Sequence, residues 1–408
     1  MATAEPISSS WVSDPVRRNV ILLAFAQAFF MCVQTMGIAT TPLAAYGMLG
    51  ADKSLATLPI VLVHVGLMAA TIPASLLMAR IGRRNGFTLG ALFGIVCGVV
   101  SVVAIYQQSF ALLCIGAFLQ GISGAFAWYY RLAAADGVEG PFKAKAIALV
   151  MAGGVVAGVL GPQTAKWTVD WFDPVLFVGV YVMVSVYSAM MLLVVQGVRI
   201  PRLTRAEQSA KGRPLREIAR QPNFVVAILS SMFGYAVMTL VMSATPLAML
   251  ACGFGFADSA TVIQAHVIAM FLPSFFTGHL IQRFGVHTII TVGALLELGC
   301  AIVNLSGITF ANFLIANILV GLGWNFCYVG GSTLLTSTYE PSERAKVQAS
   351  HDFAVYATTA TAALMSGVLQ AQAGWTVVNA SSIPLMMIVA GAGLWLMQSQ
   401  RRAASQVT

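Results

Sequence analysis

Residues 309–336 pass without one charged side chain, and a chain built of many such runs has only one kind of solvent open to it. A helix needs about 20 consecutive apolar residues to cross roughly 30 Å of hydrocarbon. Runs of that length begin near Asn19, Ser54, Gly86, Phe110, Lys145, Pro174, Phe224, Ser259, Val286, Phe310, Lys346 and Val377. The whole chain of 408 residues is 58% hydrophobic and 9% charged, with a mean hydropathy of +0.84. No soluble core hides that much apolar surface. The expected fold is an all-α membrane protein with twelve transmembrane helices.

The formal charge of +8 would suit a nucleic-acid binder only if the basic residues clustered on one solvated face. Here they sit in short connections, at Arg17, Arg18, Arg80, Arg83, Arg84, Lys143, Lys145, Arg283, Arg344, Lys346, Arg401 and Arg402 and along residues 198–223, with Arg131 near the same side. Only Lys53 and Lys166 fall on the other side. That bias predicts both termini and the central loop in the cytoplasm. The polar N-terminus lacks a short apolar run with a cleavage site, so no removable leader is expected.

The six cysteines lie mostly inside apolar runs, with no CxxC pair and no metal-ligand spacing, and read as small core residues. No phosphate loop or nucleophile elbow occurs. The expectation is therefore no enzyme, no metal and no cofactor, with the lipid bilayer as a partner.

The chain repeats itself. "TPLA" at residues 41–44 returns at 245–248, "HVGLM" at 64–68 as "HVIAM" at 266–270, and "RIGRR" at 80–84 as "RFGVH" at 283–287. A fourth pair, "EGPFKAKAIA" and "EPSERAKVQA", keeps nearly the same offset of about 200 residues. This predicts two pseudo-symmetric six-helix bundles, residues 1–197 and 223–408, joined by a basic linker over 198–222. Duplicated halves with a site at their interface are the architecture of secondary transporters.

With "SLLMARIGRR" after the second span, the chain resembles the major facilitator superfamily. The superfamily's loop signature is similar to Gly-x-x-x-Asp-Arg-x-Gly-Arg-Arg, and the matching residues are Ser75, Ala79, Arg80, Gly82, Arg83 and Arg84, so the acidic member is missing. The second copy has Gly278, Gln282, Arg283, Gly285 and His287. The resemblance implies a cytoplasmic gate made by Arg80, Arg83, Arg84 and Arg283, with Asp136 as the acidic partner. Proton-coupled members carry an Arg where this chain has Ala117, ahead of Gln120 and Gly121, and the drug-antiporter motif survives only as Gly161-Pro162. More narrowly, "FAWYYRLAAAD" and "GWNFCYVGGSTLL" resemble a bacterial branch that includes riboflavin-uptake proteins.

Set at that offset, the fourth and tenth spans give one stripe at helical spacing: Asn317, Gly321, Trp324, Tyr328 and Gly331 against Ala117, Gly121, Gly124, Trp128 and Arg131. Polar residues on lipid are costly, so the stripe is expected to face a central cavity; the alternative is that its glycines only serve tight helix packing. The candidate substrate contacts are Trp128, Arg131, Gln120, Asn317, Trp324, Asn325, Tyr328 and Gln34, with Gln163 as a further amide. Aromatic planes beside amides suit a flat, largely neutral heterocycle.

Ionisable residues inside the spans supply the coupling candidates. Asp352 with His351 is either a proton carrier or a latch to Arg80, Arg83 or Arg84. His64 and His266 repeat, and a repeated histidine is either a titrating group or a structural one. Glu297 stands alone. Arg131 either anchors an acceptor group of the substrate or pairs with Asp136 or Glu139. The expected function is uptake of riboflavin or a related heterocycle by alternating access. The alternatives are a proton-driven exporter and, more remotely, a membrane sensor that moves nothing.

Overall fold

The computed structural model describes residues 15–135, 146, 149–199, 213–340 and 343–405. Asp136, Glu139, Lys143 and Lys145 lie outside the described residues. In a bilayer each backbone N–H and C=O must find its partner within the span, and the described chain is helical throughout its apolar runs. The elements are α1 (Pro15–Met48), α2 (Leu58–Ile81), α3 (Arg83–Tyr106), α4 (Phe110–Ala127), α5 (Tyr130–Ala135), α6 (Gly153–Thr168) and α7 (Val178–Gln196), then α8 (Leu215–Ile218). The second half has α9 (Pro222–Ala251), α10 (Phe256–Phe271), α11 (Ser274–Phe284), α12 (Val286–Ser306), α13 (Phe310–Thr336) and α14 (Arg344–Ser405).

Among the described residues, nine helices are long and apolar enough to cross a membrane, and the pair α10–α11, bent by 45°, makes a tenth. α14 is interrupted at Gly374, whose φ of 77° and ψ of 178° turn the chain back, so it supplies two passes. With the shorter α6 included, the order of passes agrees with twelve.

The duplication is visible in backbone angles. Gly82 (φ 90°, ψ 156°) ends α2, and Gly285 (φ 83°, ψ 148°) ends α11 at the matching place. A side chain is strained at such positive φ, so a glycine is required at each arginine turn. Close approach repeats too: a Cβ on Gly121 would strike the Val63 carbonyl of α2, and one on Gly321 would lie 2.7 Å from the His266 carbonyl of α10.

Packing sorts the helices into two bundles. In the first, α1 packs on α6 and α7, α3 on α4 and α7, and α2 on α4; in the second, α9 packs on α13 and α14, α12 on α13 and α14, and α10 on α13. The bundles meet chiefly along α6–α10 and α2–α14.

Polar contacts between the bundles gather at the end away from the arginine turns. Gln163 donates to Gln264 (2.9 Å), Lys166 to Thr261 (2.6 Å) and the Thr57 hydroxyl to the Ala363 carbonyl (2.7 Å), while Phe177 and Phe256 meet edge to face at 5.8 Å. Toward the arginine turns lie cavities that reach the centre. The cavity of about 640 Å³ at the contact end, between Tyr46, Lys53, Leu247 and Gln370, shares no wall residue with them, so among the described residues the bundles are closed at one end and open at the other. Gln163 thus belongs to the closed end and not to the substrate contacts expected of it.

The two copies place their prolines differently. Pro73 lies within the continuous α2, whereas Pro273 separates α10 from α11. Proline withholds an N–H from the preceding turn, and a sharp bend needs some other donor for the carbonyls it frees. Asn325 of α13 supplies it: its amide nitrogen donates to the Met270 carbonyl (2.7 Å) and to the Ser274 hydroxyl (2.7 Å), and its oxygen accepts from Thr277 (2.7 Å). The first bundle has the small Ala125 at the corresponding place.

The end of the interdomain segment is tied to the second bundle. Arg213 forks onto Glu343 (Nε to Oε1 2.9 Å, Nη2 to Oε2 2.8 Å), its main-chain N–H donates to the same carboxylate, and Lys346 donates to the Arg213 carbonyl. The Arg213 guanidinium, with the Glu340 N–H, holds the Glu343 carboxyl down to about 2.

Candidate substrate cavity

Trp324 and Tyr328, one turn apart on α13, stack with ring centroids 5.2 Å apart and planes within 9°. Tyr235 of α9 presents its edge to both, at 5.4 and 5.5 Å, and Phe271 at the end of α10 meets Trp324 at 5.9 Å. From the other bundle Trp128 closes the cluster, with Phe30 edge-on at 5.9 Å and the Arg131 guanidinium over its ring at 5.6 Å. Trp324 is only 4% exposed, and its indole N–H has no partner among the described residues.

Three cavities meet at this cluster. Deepest is a slot of about 90 Å³, walled by Gln34, Gln120, His64, Trp128, Tyr235 and Trp324 together with methionines of both bundles. A cavity of about 520 Å³ opens toward the arginine turns between Trp128, Arg131, Phe271, Ser274, Trp324, Tyr328 and the hydroxyl groups of Ser332, Thr333 and Thr336. Beside it, about 340 Å³ lies between α2 and α14, walled by Thr71, Ser75, Trp128, Tyr129, Arg131, Gln348, Asp352 and Tyr356. Pockets that hold small organic ligands run from about 300 to 1,000 Å³, a range that includes the two open cavities but not the slot.

The sequence-derived residues separate in this geometry. Trp128, Arg131, Trp324 and Tyr328 come together on the cavity wall, and Gln34 and Gln120 join them as an amide pair (2.6 Å) at the slot. Asn317 does not: fully buried, it donates to Thr245 (3.2 Å) and to the Phe313 carbonyl (2.9 Å) inside the second bundle. Asn325 borders the larger cavity, but its polar atoms are committed to the bend. The stripe therefore faces the cavity only at Trp128, Arg131, Trp324 and Tyr328, because its upper part is used in packing α13 against α9 and α10.

Among the coupling candidates, His64 faces the slot and holds the Ile60 carbonyl at 2.9 Å, whereas His266, fully buried, contacts the Asn317 carbonyl at 2.8 Å. Matching sequence places thus have different surroundings. Glu297 is completely buried in the second bundle near Gly234 and Gly323, away from the cavity walls. His351 and Asp352 bond each other (3.0 Å), Asp352 opening onto the cavity and His351 lying under Tyr328.

Among the described residues, the arginine turns make these contacts within their own bundles. Arg84 donates to Gln196 of its own bundle (3.2 Å), Arg83 lies over Tyr129 at 5.9 Å and Arg283 over Phe284 at 5.3 Å; Arg80 is exposed. Asp352 meets His351 instead of an arginine of that turn. Tyr235, Phe271 and Tyr356 were missed by sequence reasoning. Tyr356 had a signal: with Gln348 and Asp352 it forms an i, i+4 row on α14. Tyr235 and Phe271 had none, since their counterparts in the other half, Met31 and Ala69, carry no ring.

Two duplicated helical bundles shut at one end, with an aromatic cavity open at the other, define a membrane carrier of small solutes. The chain belongs to the Major Facilitator Superfamily, whose family model matches residues 23–303. It is 37% identical over 381 residues to the riboflavin transporter RfnT of Brucella anthropi, covering 91% of this chain and 94% of that one. It is also 25% identical to the uncharacterized MFS-type transporter YddS of Bacillus subtilis, over 97% of this chain and 96% of that one. Among solved structures, it is similar to the human organic anion transporter MFSD10 (TM-score 0.67, 13% identity, 93% of this chain and 100% of that one). A bacterial homolog of the human lysosomal transporter Spinster, inward-facing and unoccupied, has a TM-score of 0.68 at 14% identity, over 93% of this chain and 96% of that one.

Proposed function

We propose that this protein takes up riboflavin, or a closely related flat heterocycle, across the inner membrane of a bacterium by alternating access. The observation that carries the reading is the cluster of Trp128, Tyr235, Phe271, Trp324 and Tyr328 from both bundles at the inner end of an open cavity. Stacking gives a ring system affinity without demanding charge, and the hydroxyl groups of Ser332, Thr333 and Thr336 offer partners to a polyhydroxylated tail. The relationship to RfnT supports the same solute.

In this reading residues 1–197 and 223–408 rock about the contacts at Gln163, Thr57 and Lys166, with 198–222 as a cytoplasmic linker. Both termini are cytoplasmic, because the basic connections share one side, and the open end faces the cytoplasm. A co-transported proton is carried by the His351–Asp352 pair, which borders the cavity. The test is uptake of labelled riboflavin into a flavin-auxotrophic host expressing the protein. Rescue with saturable uptake is expected; no rescue together with raised drug resistance would favour export and overturn the reading.

A further inference from the structure

Arg131 on α5 and Asp352 on α14 belong to different bundles and face one cavity of about 340 Å³, yet no ion pair joins them. Each is already oriented by a neighbour. Arg131 lies over Trp128 with Tyr328 beside it, and its Nε has no partner among the described residues. One oxygen of Asp352 is taken by His351 at 3.0 Å, while its side chain keeps 33% exposure toward the cavity. Opposite charges that face each other without touching leave room for a group that satisfies both: acceptors for the guanidinium and a donor for the carboxylate.

The geometry points to Arg131 and Asp352 as joint readers of a ring imide, two carbonyls flanking one N–H. Arg131 donates to the carbonyl side, and the free Asp352 oxygen accepts from the N–H. This rests on the flat-heterocycle reading and narrows it, since the ring must then present its pyrimidinedione edge to this cavity while its body stacks on the aromatic wall. Trp128 and Arg131 line both open cavities, so a ring against Trp128 brings its edge to the guanidinium. Because the two readers sit on opposite bundles, the ligand that bridges them also draws the open end together. A lipophilic compound without such an edge leaves Asp352 unsatisfied and gains nothing from closure.

The test compares riboflavin with 3-methylriboflavin, in which the ring N–H is replaced by N–CH3, by fluorescence quenching on the purified protein in detergent. A hydrogen bond to a charged group is worth about 10- to 100-fold in affinity, so the wild-type protein is expected to bind the methylated ligand weaker by that factor. In Asp352→Ala the ratio between the ligands should fall close to one, with riboflavin itself weakened, whereas Arg131→Lys should weaken both ligands alike. A residue that merely latched the two bundles would not move the ratio. Equal binding of the two ligands by the wild-type protein, or a ratio unchanged in Asp352→Ala, overturns the inference and leaves the transport reading standing. Failure to bind riboflavin at all overturns the transport reading and this one with it. Melting of the unliganded variants reports folding, and the wild-type ratio decides by itself if a variant does not fold.

Discussion

Asn325→Ala installs in the second bundle the residue that the first bundle carries at the corresponding place, Ala125. The wild-type side chain is fully buried and makes three bonds of 2.7 Å at the α10–α11 bend. They are not equally replaceable. The single Thr277 hydroxyl proton has the Pro273 carbonyl at 2.8 Å as an alternative acceptor, and the Ser274 hydroxyl is free to turn. The Met270 carbonyl is different, since it is fixed in the backbone and loses its donor in the variant. Side-chain bonds between membrane helices contribute about 0.6 kcal/mol on average, and a buried acceptor left unsatisfied costs about 1–3 kcal/mol. Two replaceable bonds and one orphaned carbonyl give an expected loss of about 2–4 kcal/mol. Unfolding in mixed micelles titrated with a denaturing detergent reads this directly. A loss under about 0.5 kcal/mol would mean that the carbonyl finds another partner; the clamp would then not explain why α10 and α11 break where α2 runs on.

Removing the stacking partner in Trp324→Ala should weaken riboflavin binding about two- to tenfold beyond the lost contact area, while Trp395→Ala, 55% exposed on the outside of α14, should leave it unchanged; titration of ligand fluorescence compares them. Gly121→Val should abolish accumulation of folded protein, because the new Cβ strikes the Val63 carbonyl, whereas Gly278→Ala, with nothing within 4 Å of the added atom, should express normally. Below the carboxyl's ordinary value of 4.5 the Arg213–Glu343 tie should weaken. Because the folded value is depressed to about 2, the contribution is full above pH 4.5 and lost as pH falls toward 2. Arg213→Ala should remove that stretch of acid sensitivity from the unfolding profile, and an unchanged profile would refute the assignment.

What could be read in the chain and what could not follow from the same physics. Hydrocarbon leaves a backbone no choice but to pair within its own helix, so spans, their order and the arginine turns are written as runs and interruptions. The duplication survived in short motifs, and the glycine at each turn was fixed by its φ, which the structure finds nearly equal at Gly82 and Gly285. Trp128 and Trp324 were legible as cavity residues because large rings at helical spacing among small residues are poorly used against lipid.

The direction in which each polar residue points was not legible. Trp324 and Asn325 are neighbours in sequence, but a step of one residue turns the side chain about 100° around the helix, and the two serve opposite ends of the same problem: Trp324 completes the aromatic wall and Asn325 repairs the bend behind it. His64 and His266 repeat in sequence and diverge in place, one at the slot and one against α13. Sequence periodicity gives the spacing of a face but not its phase, which is set by how far small residues let each helix rotate and approach its neighbours. The amino-acid order alone therefore determined a membrane-spanning, duplicated helical chain. Only the packing of the two bundles decided that Arg131 confronts Asp352 across a cavity, since residues so distant in sequence share no local pattern by which either could announce the other.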